Sequence, residues 1–292
     1  MFNHPISLYH NSQPPQTRIR PTAHCRSASD RAFPLDDKEL DSLSDDSLAD
    51  LLKSAPILHA LGQTTVVRLS KALVLKGGGD VLPCEAKVLQ LVASRSNIRT
   101  PRVHRSLQFT DDTKYFGTMG YIVMDYIDGE PLDARWGHLS NEQKLGIAKQ
   151  TAQIIIEMQS IKLSEPGPIG GGPCRGRFFT HYSAGPFKDV WTSVKKYNYA
   201  PQDLPPFKFT QFVLTHQDIS PRNLILDRTG RVWLADWADA GSYPPAFETA
   251  ALCSQSQFVD FNDMVLSLLP RYPLEERQLD SIGYGLSIAA LA

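Results

Sequence analysis

The 292-residue sequence has no uninterrupted apolar run long enough to cross a bilayer as a helix. Its most apolar stretch near an end, Ile282 to Ala292, is short and broken by Gly283 and Gly285. It also has almost no net charge. The formal value is -1, so no overall field favours nucleic acid or an anionic membrane. Cysteine is sparse: Cys25, Cys84, Cys174 and Cys253 lie far apart and form no C-x-x-C pair. That spacing argues against a zinc site and against a dense disulfide framework, and a reducing, cytoplasmic setting is the simplest reading. No internal repeat is visible.

What is present is ordinary for a globular chain, with 42% hydrophobic and 21% charged residues. The length suits one two-lobed domain or two small ones. Residues 1–34 differ from the rest. They carry Pro5, Pro14, Pro15 and Pro21, four arginines, several serines and a single acid, Asp30. Such a composition buries too little apolar surface to offset chain entropy, which predicts a disordered tail. The alternative is an organelle transit peptide, although the prolines spoil the amphipathic helix it needs. From Leu35 to Leu52 the chain turns acidic and leucine-spaced, as a short amphipathic helix would.

From Gly62 the pattern becomes orderly. Thr65–Leu69 and Ala72–Lys76 are short apolar runs separated by Ser70-Lys71 and read as a β-hairpin. Pro83–Ala93 has helical spacing at Ala86, Leu89 and Val92, with Glu85 in its first turn. Tyr121–Met124 is a buried-strand candidate ended by Asp128-Gly129. Ser140 and Gln143 make a capping box opening a helix whose apolar face is read as Leu145, Ala148, Ala152, Ile155 and Met158. A loop-rich passage from Ser164 to about Phe209 includes Gly170–Gly172. Two strands, Leu224–Leu226 and Arg231–Leu234, then flank the turn Asp227–Gly230.

Both ends of that last hairpin carry reactive residue types. His216-Gln217-Asp218-Ile219-Ser220-Pro221-Arg222-Asn223 precedes it and Asp236-Trp237 follows. Moving a phosphoryl group from ATP to a hydroxyl needs a carboxylate that orients the hydroxyl and takes its proton. It also needs hard oxygen ligands for Mg²⁺, such as an Asn amide oxygen and an Asp carboxylate. Asp218 and Asn223 on one tight loop, with Asp236 across a hairpin, bring three such groups together. An ordinary Asx-rich turn is the bland alternative.

H-x-D-x-x-x-x-N followed by a strand pair and D-W resembles the aminoglycoside phosphotransferase and choline-kinase-like family. The resemblance covers roughly residues 55 to 270 and implies an α+β, two-lobed protein-kinase-like fold. An N-terminal lobe of antiparallel sheet plus one helix, over residues 35–127, would precede a mainly helical lobe over 128–292. It implies ATP and Mg²⁺ as cofactors, Asp218 as catalytic base, and Asn223 and Asp236 as metal ligands, with His216 bracing the loop. Lys76, ending its strand, resembles the phosphate-binding lysine, with Glu85 placed to pair with it. A lone strand-end lysine is otherwise just solvated. Met124–Gly129 resembles the hinge, where the Asp125 carbonyl and Ile127 amide would meet the adenine edge; the bland reading is a strand ending in a turn. Gly170–Arg175 is similar to fungal members, and no chemistry is assigned to it.

Several departures accompany the match. The glycine-rich phosphate loop is reduced to Gly62, and Gly77–Gly79 reads as a flexible turn. The family commonly has His-Gly-Asp where this chain has Gln217. Ser220 stands where a cation is usual, a loss of about 1–2 kcal/mol that Arg222 would compensate. Asp239 would fill the acidic place after Asp236-Trp237. Candidate acceptor-side carboxylates are Asp239, Glu248, Asp260 and Asp263, and the implied acceptor is a small-molecule hydroxyl. A pseudokinase that binds nucleotide or a partner without turnover stays open. The absence of an Arg before Asp218, of D-F-G and of A-P-E argues against a protein kinase. Oligomeric state is not legible.

Overall fold

The computed structural model describes residues 33–36, 38–184 and 211–288. The tail expected over residues 1–34, disordered or transit peptide, falls outside them except at its last two positions. The end of the loop-rich passage, from 185, falls outside them too.

Ser44 opens helix α1 (Asp45–Ser54), its hydroxyl accepting from the Ser47 amide at 3.2 Å. A separate 3-10 turn at Leu40–Ser42 precedes the cap, so the leucine-spaced stretch is a turn plus a helix. Strands β1 (Ile57–Leu61), β2 (Thr64–Arg68) and β3 (Leu73–Gly78) follow, then helix α2 (Pro83–Arg95), β4 (Val103–Thr110) and β5 (Thr118–Asp125). The strands form one antiparallel sheet in the order β1-β2-β3-β5-β4. Strand β1 escapes sequence reasoning because Ile57, Leu58 and Leu61 on this edge are exposed, so no half-buried alternation marks it.

The two-residue period of a strand divides this sheet's side chains between two jobs. Leu75, Tyr121 and Val123 pack under Leu48 of α1, whereas Ile122 meets Val81 and Ala86 beside α2. Lys76 lies opposite Ile122 in register and therefore shares the α2 face. Gly77 and Gly78, expected as a flexible turn, belong to β3 instead. A Cβ on Gly77 would meet Leu52 and Tyr121 at 2.8 and 2.9 Å. At Gly78, with φ +153°, it would lie 1.7 Å from the Gln63 carbonyl oxygen. Close packing, not flexibility, accounts for these glycines.

The second half begins with β6 (Gly129–Pro131), α3 (Leu132–Arg135), α4 (Asn141–Ser160) and β7 (Lys162–Leu163). It continues through β8 (Cys174–Gly176), β9 (Phe179–Ala184), β10 (Phe212–Thr215), β11 (Leu224–Asp227), β12 (Val232–Leu234) and β13 (Gly241–Tyr243). Helices α5 (Ala246–Cys253), α6 (Val259–Leu266) and α7 (Pro273–Ile288) complete it. The Ser140–Gln143 capping box is present, with both reciprocal bonds formed. The buried face of α4 is Ile147, Ala148, Thr151, Ala152, Ile154, Ile155 and Met158. Leu145, assigned to that face from its spacing, is exposed one turn too early.

The main core joins α4 to β11, β12 and α6, and takes in Val88, Leu89 and Val92 of α2. Each such side chain, fully withdrawn from water, contributes about 1.5–3 kcal/mol. Because α2 packs on both the sheet and this core, it fixes the upper lobe over the lower one. The result is a two-lobed α+β fold, with short strands in the second half that sequence patterning underestimates. No helix among the described residues is long and apolar enough to cross a membrane.

Candidate active site

The β11–β12 hairpin pairs Leu224 with Leu234 and Leu226 with Val232. Just beyond its open end the Ala235 amide donates to the Asn223 carbonyl at 2.9 Å. This closure sets Asp236 beside the loop that precedes the hairpin. Asp236 has φ 61° and Gln217 has φ 65°, left-handed values that raise a non-glycine backbone by about 1–2 kcal/mol each. A glycine at position 217 would take that conformation without strain.

The loop is braced from inside. The Asp218 amide donates to His216 Nδ1 at 3.3 Å, so the neutral ring carries its proton on Nε2 and donates to the Ala235 carbonyl at 3.1 Å. Burial holds His216 below its ordinary value of 6.5, against the pull of Asp218 and Asp236. Beneath it the wholly buried Glu248 of α5 accepts from the His216 amide at 2.5 Å and the Gln217 amide at 3.2 Å. Burial pushes the Glu248 carboxyl up to about 7, outweighing the two amides that favour its charged form.

Asp218 receives donors on both carboxylate oxygens. Asn223 Nδ2 donates to Oδ2 at 2.8 Å and to the Asp218 carbonyl at 2.8 Å. Arg222 and Arg177 donate to Oδ1, the latter at 3.2 Å. A second cluster lies at the sheet. Lys76 Nζ donates to Glu85 Oε1 at 2.7 Å and to Asp236 Oδ1 at 2.8 Å. Burial alone would lower the Lys76 ammonium, but Asp236 and Glu85 more than offset it and raise it. The same ammonium holds Asp236 down to about 2. Glu85 moves the other way, raised by its burial more than Lys76 lowers it.

The residues also suit a hard cation. Asn223 spends its NH₂ on Asp218, so the amide oxygen is what it can offer a metal. Asp236 is half-exposed, ionised, and engages Lys76 through one oxygen only. Among the described residues no set of three His, Cys, Asp or Glu converges as a cage. Two protein oxygens are nonetheless suited to Mg²⁺, which keeps waters and phosphate oxygens as its other ligands.

Asp125 and Ile127 do not join these clusters; Asp125 ends β5, in the same sheet as Lys76, and Ile127 lies two residues beyond it. The Asp125 amide donates to the Arg102 carbonyl at 3.1 Å, and its carboxylate takes His104 Nε2 at 2.7 Å. The Tyr126 amide donates to the Ala72 carbonyl at 2.7 Å, tying the segment after β5 to the residue that precedes β3. Of the carboxylates proposed for an acceptor cleft, Glu248 is sealed under the loop. Asp260 is spent on Trp136 Nε1 and Lys144, at 3.0 and 2.9 Å. Asp263 is exposed on the same helix, α6. Asp239 is near the site, facing Arg175 Nε at 3.8 Å, and burial raises it to about 6 despite that guanidinium.

Sequence reasoning missed the arginines of the β8–β9 hairpin. Arg175 Nη1 donates to the Asp80 carbonyl at 2.6 Å, and Arg177 reaches Asp218. Their only sequence signal is two arginines two apart behind a glycine run, which carries no chemistry by itself.

The phosphotransferase enzyme family profile matches residues 63–272. No curated protein matches the chain significantly. Among solved structures, ADP-bound aminoglycoside phosphotransferase APH(2'')-Ib is 18% identical, with a TM-score of 0.51, covering 83% of this chain and 91% of that one. The streptomycin–ATP ternary complex of APH(2'')-IIa is 17% identical, with a TM-score of 0.52, covering 84% and 89%. The GDP and kanamycin complex of APH(2'')-IIIa is 14% identical, with a TM-score of 0.54, covering 84% of each chain. These likenesses are of fold. The profile spans well over half of the chain and includes both clusters, so the protein belongs to the phosphotransferase enzyme family.

Proposed function

We propose that the protein transfers the γ-phosphoryl group of ATP to a hydroxyl of a small molecule. The observation that carries this reading is the ion-paired Lys76 held between Glu85 and Asp236, beside the Asp218–Asn223 loop. The nucleotide would lie between a lobe of residues 35–127 and a lobe of residues 128–292, its adenine edge against the Asp125 carbonyl and the Ile127 amide. Lys76 would hold the α- and β-phosphates, with Glu85 fixing its ammonium. Asn223 and Asp236 would hold Mg²⁺, which when bound neutralises charge on the phosphates.

Asp218 is the candidate base. It orients the acceptor hydroxyl and takes its proton as the oxygen–phosphorus bond forms and the bond to the β-phosphate oxygen breaks, releasing ADP. Asn223 fixes the carboxylate by donating to Oδ2. Structures sharing this fold are described with ADP, ATP or GDP, which supports a nucleotide site.

The test is ATP consumption with and without Mg²⁺ across a panel of hydroxyl-bearing small molecules, beside Asp218→Asn. Mg²⁺-dependent turnover that the variant lowers by about a hundredfold or more, the scale of a general base, is expected. A second reading, nucleotide binding without turnover, draws on two observations. Both oxygens of Asp218 already have donors, and Ser220 stands where a cation is usual. ATP binding with no turnover by either protein would favour it.

A further inference from the structure

We infer that the acceptor carries an anionic group, a phosphate or carboxylate, beside its reacting hydroxyl, and that Arg177 receives it. This rests on the phosphotransferase reading and narrows it to a substrate class.

A base must present a carboxylate oxygen to the hydroxyl. At Asp218, Oδ2 takes Asn223, and Oδ1 takes both Arg222 and Arg177. Arg222 belongs to the same loop, four residues on, whereas Arg177 reaches in from the turn after β8, forty-one residues earlier. Its 3.2 Å contact is the longest of the donors on this carboxylate. Arg177 is therefore the donor that can leave without disturbing the loop. It also has capacity to spare, because its Nε is buried and has no partner. A guanidinium offers two parallel N–H groups in a fork that matches a carboxylate or phosphate, and at Asp218 that fork is used on one side only.

The local charge agrees. Two guanidiniums on one carboxylate leave a surplus of one positive charge where the hydroxyl must arrive. Among the described residues the other carboxylates near the site are already met by cations, Asp236 by Lys76 and Asp239 by Arg175. Glu248 is sealed beneath the loop, and Asp260 is held by Lys144 and Trp136. A polycationic acceptor would meet like charge at the base. An anion would draw Arg177 from Asp218 and open one acceptor position for the hydroxyl on Oδ1, which keeps Arg222.

Calorimetric titration of the full chain, loaded with Mg²⁺ and a non-hydrolysable ATP analogue, tests this. The probes are glycerol 3-phosphate, ribose 5-phosphate and gluconate, set beside glycerol, ribose and kanamycin. At least one anionic probe should bind roughly tenfold or more tightly than the neutral polyols, the scale of one charge-assisted contact. Arg177→Gln should erase that preference, and Arg177→Lys should keep part of it. Anionic probes binding no better than the neutral ones, kanamycin binding best, or a preference unchanged in Arg177→Gln would each overturn the inference. Should Arg177→Gln fail to fold, the wild-type comparison of charged and neutral probes decides alone. Analogue bound without anion preference defeats this inference only. A wild-type chain that does not bind the analogue defeats the phosphotransferase reading beneath it.

Discussion

Glu248 makes the stability of this protein depend on pH in a direction opposite to that of most carboxylates. Its ordinary value is 4.5, and burial raises it to about 7 in the folded chain. The folded state therefore binds the proton more tightly than the unfolded state. Stabilisation from the protonated form is complete below pH 4.5, erodes above it, and is gone once pH passes about 7. The difference between the two values corresponds to about 3 kcal/mol, at roughly 1.4 kcal/mol for each tenfold change. Glu248→Gln keeps a carbonyl oxygen for the His216 and Gln217 amides but can never carry the buried charge. The variant should be about as stable as wild type at pH 5 and more stable than wild type by pH 8. For a chain of this size the swing in relative melting midpoint is roughly 5–10 °C. Asp239 and His216 also titrate, but they are common to both proteins, so the difference between the curves isolates Glu248. Thermal unfolding at half-unit steps from pH 5 to 8 measures it. Parallel curves would refute the argument and place the proton elsewhere.

Lys76→Met should strand Glu85 and Asp236 near one another without their shared ammonium, destabilising the fold by about 3–5 kcal/mol, read by denaturant unfolding. It should also weaken ATP binding by roughly tenfold to a hundredfold, read by titration. At position 217, Gln217→Gly should be more stable than Gln217→Ala by about 1 kcal/mol. Both lose the side-chain donor to the Asp239 carbonyl, but only alanine keeps the left-handed strain. An alanine variant at least as stable as the glycine variant would contradict that account.

Features encoded by neighbouring residues are legible in the sequence. The Ser140–Gln143 box is one, since both partners lie within one helical turn. The β2–β3 and β11–β12 hairpins are others, because short apolar runs flank turn-forming residues. The contact of Lys76 with Glu85 spans nine residues and follows from a strand leading into a helix. Legibility fails where partners are remote. Glu248 looks like any surface acid until α5 is seen to carry it under the loop, thirty-two residues from His216. Arg177 is unreadable for the same reason, its partner being brought to it by a separate hairpin. The glycines of β3 mislead differently: their role is set by Leu52, Tyr121 and Gln63 packed against them, which local composition does not reveal.

The Lys76–Asp236 contact joins residues 160 positions apart, one on the sheet of the upper lobe and one beyond a hairpin of the lower. Neither lobe alone holds the pair, and closing so long a stretch of chain carries its entropy cost before the contact gives anything back. During folding, the ammonium and the two carboxylates can meet only after both halves have formed and docked. Any activity that depends on this pair would then emerge late in refolding, after much of the secondary structure has formed.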